Sequence, residues 1–156
     1  MNPVPLVTEL AVSLRFVAGV AAGLLATLAM DFVMARLPEG ETPPLVASGV
    51  LTETSPVRAP QRVGTVVHYL AGGLTGPLFV WLSFSAEAAL GTGPLATLAA
   101  GVVLYALMVG FFAVVVLPRS SLPGQRLGTI GRDWALSAAA YCLVLVPAVA
   151  AASTVL

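Results

Sequence analysis

Few residues in this chain could do chemistry. Asp31, His68 and Asp133 stand within or at the end of long apolar runs. A carboxylate beside an imidazole is a pairing that moves protons, because histidine titrates near physiological pH. Ser137 and Tyr141 follow Asp133 at four-residue intervals, which puts all three on one helix face. Asp31, His68, Asp133, Ser137 and Tyr141 therefore form the candidate polar pocket. Ser137, His68 and Asp31 would make a Ser–His–Asp set on paper, but nothing in their spacing marks a triad. The lone Cys142 excludes an internal disulfide and a cysteine cluster. A single histidine excludes a bis-histidine haem or an HExxH zinc site. No phosphate-binding loop, dinucleotide fingerprint or nucleophile elbow is present. The expectation is a protein without enzymatic activity, cofactor or metal.

The elements that must carry these residues are membrane helices. Hydrophobic residues make up 58% of the 156 positions and charged ones 9%. An ordinary soluble domain is about 25% charged, so this composition excludes a soluble globular fold and a disordered tail. Seven Arg balance seven Asp plus Glu, which removes the basic excess that nucleic acid would require. A membrane helix needs about 20 mostly apolar residues. Four stretches qualify, at about 14–37, 64–86, 95–117 and 133–155. The fold class is thus all-α, an integral membrane four-helix bundle forming a single domain over 1–156. The opening MNPVPLVTELAVSLRF lacks a basic start and carries Glu9, so it does not read as a cleaved leader.

Two long connections, 38–63 and 118–132, fall on one side, with the short Gly91-Thr92-Gly93-Pro94 turn and both termini on the other. Arg36, Arg58, Arg62, Arg119, Arg126 and Arg132 flank the long connections, and only Arg15 flanks the opposite side. The positive-inside rule then predicts a plasma-membrane protein with cytoplasmic long loops and external termini. Trp81 and Trp134 read as interfacial belt residues. Within 38–63, the mildly apolar 45–51 reads as a loop with a hydrophobic tether in preference to an interfacial helix. Thr42-Pro43-Pro44 reads as a stiff turn. Arg132-Asp133-Trp134 reads as a helix start with an acidic first turn.

Each span carries a seam of small or polar residues at four-residue spacing. They are Gly19, Gly23, Thr27, Asp31 and Ala35; His68, Gly72 and Gly76; Thr97, Gly101 and Tyr105; and Asp133, Ser137 and Tyr141. Small residues let membrane helices approach, and hydroxyls bond across the gap. The seams should face inward. Gly23 and Gly76 each lie about 12 Å along the axis from Asp31 and His68 respectively. In an antiparallel pair, one register brings both couples together. Arg36 or Arg132 could also offset the Asp31 charge. Glu87 reads as an interfacial anchor, Cys142 as an apolar filler, and the hydroxyls of Tyr105 and Tyr141 as groups seeking a hydrogen-bond partner.

The stretches GLLATLAMDFVMARLPEGETPP, HYLAGGLTGPLF, YALMVGFFAVVVLP and RDWALSAAAYCLVLV resemble small four-span membrane proteins of unknown function from haloarchaea. The resemblance covers most of the chain and implies a four-span fold, and it brings no activity or site residue with it. Two function classes stay open. One is an accessory or structural subunit, partnered by the bilayer and by a membrane complex or a second copy. The other is a small proton, ion or solute transporter using the Asp31–His68 pocket. A membrane enzyme acting on lipid would need a nucleophile or metal that the sequence does not offer.

Overall fold

The computed structural model describes residues 4–155, with side chains from residue 11 onward. Glu9 and the residues before it, on which the leader reading rests, lie outside the described side chains. Five α-helices follow in order: α1 (Val4–Met34), α2 (Thr42–Thr52), α3 (Gln61–Leu90), α4 (Pro94–Phe111) and α5 (Gly124–Ser153). The protein is an all-α membrane bundle in which four helices, all but the short α2, are long and apolar enough to cross a bilayer. They run up-down-up-down. Helix α1 packs on α3 and α5, and α4 packs on the same two from the opposite corner.

Glycine sets the closest approach. A Cβ on Gly76 would overlap the Gly19 carbonyl, and one on Gly23 would press on the Gly72 carbonyl. One on Gly72 would overlap the Thr27 hydroxyl. Thr27 is fully buried and donates to Gly23 O at 2.8 Å, so its hydroxyl is satisfied within α1. The α1–α3 contact is therefore backbone against backbone at Gly19 and Gly23, and the Thr27 side chain against Gly72. One step round α1, Ala22, Ala26, Met30 and Met34 are buried in a core shared with Phe79, Leu104, Tyr141, Leu145 and Val149. Leu95, Leu98, Val102, Leu107 and Phe111 stay exposed on α4, as a lipid-facing surface requires.

Several boundaries differ from the sequence reading. Residues 42–52 form a helix, not a tethered loop. Pro43 and Pro44 open it, because their fixed φ suits a first turn that has no intrahelical use for their missing N–H groups. Glu53, at φ 54°, closes it by returning its N–H to Gly49 O. Val46 and Ser48 are fully buried beneath it. Gly64 lets the Pro44 carbonyl approach α3. The stiff turn is thus the entry to α2. The expected 118–132 loop shrinks as well, since α5 begins at Gly124 and Asp133 lies more than two turns inside it. Span three leaves the α register after Phe111 through a π-helical turn, Phe112–Val116, and a 3-10 turn, Leu117–Arg119. Pro118 explains the change: it has no N–H to give to Val114 O, and its ring crowds that carbonyl.

The seams are inward on three spanning helices and offset on α4. There Ala96, Ala100 and Leu104 are the buried stripe, and the Thr97–Gly101–Tyr105 row lies on its flank. Gly101 faces Val146, and Tyr105 donates to Ala135 O at 3.3 Å, so this row serves the α4–α5 contact. Trp134 is not a belt residue. Its indole stacks on Phe112 with centroids 4.6 Å apart and donates to Met108 O. Trp81 is exposed.

Candidate functional site

The site is assembled at the loop end, where α1 stops, α3 starts and α2 packs on α3. Asp31 sits one turn before the end of α1. Its Oδ1 is 2.7 Å from His68 Nε2, and its Oδ2 accepts from the Tyr69 hydroxyl at 2.5 Å. With Asp31 ionised, the His68 tautomer that completes this pair carries its proton on Nε2. The His68 side chain is 10% exposed and that of Asp31 36%. The carboxylate therefore keeps part of its hydration while the imidazole is nearly enclosed. That difference lowers the cost of holding charge near the membrane boundary. The His68 and Tyr69 rings meet edge to face at 5.7 Å, which fixes both against Asp31.

Tyr69 is a partner of Asp31 that residue spacing does not single out. Adjacent helix positions point about 100° apart, so spacing rules pass over His68 and Tyr69 as partners. A carboxylate from a facing helix, aimed between two neighbours, reaches both. The available signal was a tyrosine within an apolar run, whose hydroxyl must find an acceptor.

The expected five-residue pocket does not form. Asp31 and His68 line a cavity of about 310 Å³ with Tyr69, Glu41, Gln61 and Thr65. Asp133, Ser137 and Tyr141 are not in it. Asp133 is fully buried. Its Oδ2 accepts from the Glu39 backbone N–H at 2.9 Å, and its Oδ1 accepts two bonds from Arg132, the shorter at 2.8 Å. It is an anchor for the α1–α2 connection, not a helix-start charge. Ser137 donates to Asp133 O within its own helix. Tyr141 donates to Gly72 O at 2.6 Å, tying α5 to the α1–α3 seam. Arg132 thus serves Asp133. Arg36 lies over the Phe32 ring and donates to Phe32 O, so neither arginine pairs with Asp31; its partners are His68 and Tyr69. Among the described residues no group of His, Cys, Asp and Glu could hold a metal ion.

A second ionic contact ties the same connection down. Arg126 donates to both carboxylate oxygens of Glu39, at 2.8 and 2.7 Å, and Thr42 adds a third bond. The Arg126 hydrogen bond is the main cause holding the Glu39 carboxyl below its ordinary value of 4.5. A lowered folded-state value means the folded form binds the proton more weakly than the unfolded chain. The contribution is then fully present above pH 4.5 and fades as pH falls through the lower folded value. Glu39→Gln should flatten the acid limb of the stability curve in detergent and leave the limb above pH 6 parallel to the parent. An unchanged acid limb in that variant would assign the acid sensitivity to other carboxylates.

What this arrangement can do is bounded by its geometry. The cluster has an acid–base pair open to the loop-end solvent. Toward the hairpin end, buried Phe79, Val80 and Val149 border a further cavity of about 450 Å³, which Arg15, Ser83, Glu87 and Thr97 also line. No protein-family model, curated protein or solved structure matches the chain.

Proposed function

We propose that this small membrane protein is a non-enzymatic accessory or structural subunit of a membrane assembly. The observation that carries the reading is that the polar groups at the loop end are spent on one another and on backbone. Asp31 is held by His68 and Tyr69, Asp133 by Arg132 and the Glu39 backbone N–H, and the Glu39 carboxylate by Arg126. Such polar contacts fix helix register and hold a loop-end surface in shape. The exposed apolar face of α4 offers a flank to lipid or to a neighbouring helix. Kinship with the haloarchaeal four-span proteins is proposed on the quoted sequence stretches alone.

We place the protein in the plasma membrane with α2 and the long connections cytoplasmic, on the arginine bias. The test uses the chain's single cysteine. In a Cys142→Ala background, Thr54→Cys should resist a membrane-impermeant maleimide in intact cells, whereas Thr92→Cys should react. The reverse pattern inverts the orientation. For the function itself, mild-detergent extraction of a tagged copy followed by native mass spectrometry should return a stoichiometric protein partner. A lone monomer removes the accessory reading.

The alternative is a small proton, ion or solute transporter. The Asp31–His68 contact favours it, since it joins a titratable imidazole to a hydrated carboxylate. It predicts pH-dependent flux in liposomes that Asp31→Asn abolishes, and equal flux from empty liposomes rejects it.

A further inference from the structure

The Asp31 cavity has a neighbour. A second cavity, of about 220 Å³, lies beneath α2, and His68 and Pro44 are walls of both. Met30, Ala47, Ala71, Phe112, Trp134 and Tyr141 bring α1, α2, α3, the π turn and α5 to it. Its hydroxyls are already committed: Thr27 to Gly23 O, Thr75 to Ala71 O, and Tyr141 to Gly72 O. The Trp134 N–H is committed to Met108 O. Apart from His68 on the shared wall, nothing in this lining asks for a polar guest. A dry apolar cavity of about 150 Å³ is enough to bind benzene, so this one has room for an apolar chain segment.

The location says where such a chain would come from. Ala71 and Phe111 line the cavity and are themselves exposed. Ala71 sits among exposed Val66, Leu70 and Leu74 on α3, and Phe111 follows exposed Leu107 on α4. These are surfaces that meet hydrocarbon, so the mouth opens on lipid. The π turn belongs to the same feature, since Phe112 and Val116 line the cavity. The neighbouring polar cavity carries the carboxylates Asp31 and Glu41, and no arginine lines it among the described residues. Arg36 is turned onto Phe32. The polar chamber is therefore complementary to a cation, with the Tyr69 ring as an additional wall.

We propose that the two chambers form one site for a membrane-derived amphiphile with a cationic head. Its ammonium group sits by Asp31 and Glu41, and its chain lies under Ala47. His68 is the shared wall that sets head against tail. This holds whichever assembly the chain serves, because it rests on the cavities and not on a partner.

Trp134 provides the readout, since it lines the chain chamber. A Trp81→Phe variant in zwitterionic nanodiscs leaves Trp134 as the sole indole. The probe is a chain-brominated alkyltrimethylammonium, compared with the alkyl sulfate of the same chain. The ammonium should quench saturably and with about tenfold higher affinity than the sulfate. Asp31→Asn should bring the two heads within about twofold while chain quenching persists. Ala47→Leu should weaken quenching by both, and Ala71→Leu repeats that test from another helix, with helicity and gel-filtration profile confirming the fold. Equal quenching by both heads overturns the proposal. So does a head preference that survives in the Asp31→Asn, Glu41→Gln double variant, or non-saturating quenching unaffected by either chamber-filling variant.

Discussion

Gly76→Ala should destabilise the bundle by about 1–3 kcal/mol, the cost of forcing atoms into a packed interface. The new methyl would overlap the Gly19 carbonyl, which is backbone and cannot rotate away. Helix α1 must then leave α3, and every contact along the Gly23 and Thr27 seam loosens together. Gly76→Val should exceed the alanine effect, because a branched side chain deepens the same overlap. Gly110→Ala is the control. Its Cβ would meet nothing within 4 Å, and alanine favours helix by up to about 1 kcal/mol over glycine. That variant should be neutral or more stable. Unfolding in mixed micelles, followed by helicity, measures all three. If Gly76→Ala unfolds together with the parent, the α1–α3 seam is not the close backbone contact described.

Asp31→Ala should cost about 2–3 kcal/mol, near the upper range for a hydrogen-bonded charge. It leaves the Tyr69 hydroxyl and the enclosed His68 imidazole without their common acceptor. Asp31→Asn keeps an oxygen but removes the charge, so its loss should be smaller. A double-mutant cycle of Asp31→Asn with His68→Gln isolates the pair. Membrane hydrogen bonds average about 0.6 kcal/mol in such cycles. This one joins a carboxylate to an imidazole that is 10% exposed, so a coupling of about 1–2 kcal/mol is expected. A second cycle with Tyr69→Phe should give a comparable value. Strict additivity in both cycles would show that the three side chains sit together without stabilising one another.

The two predictions draw on the sequence to different degrees. Four apolar runs, broken by a glycine turn and two polar connections, specify four antiparallel spans by hydropathy alone. Once α1 and α3 are antiparallel, the matched spacing of Gly23 to Asp31 and His68 to Gly76 leaves one register for both pairs. Thr27, placed between them, then meets Gly72. These features are periodic along single helices, and periodicity is what a linear sequence displays.

The rest depends on which faces meet, and that is decided by packing. Helix α2 is too short and mildly apolar to announce itself; its stability comes from burying Val46 and Ser48 against the bundle. Asp133 shares its inward face with Ser137 and Tyr141, yet it meets the α1–α2 connection and not Asp31. There its carboxylate takes the Glu39 backbone N–H, 94 residues away in sequence. The α4 stripe is displaced by one residue because Ala96, Ala100 and Leu104 fill the core better than the row beside them. The spans, their alternation and the glycine register follow from the order of residues along the chain. That Tyr69 joins Asp31, that Asp133 does not, and that a cavity lies beneath α2 are results of helix packing. Those outcomes are set by side chains from different helices competing for the same space and the same acceptors, and no spacing within one helix encodes that competition.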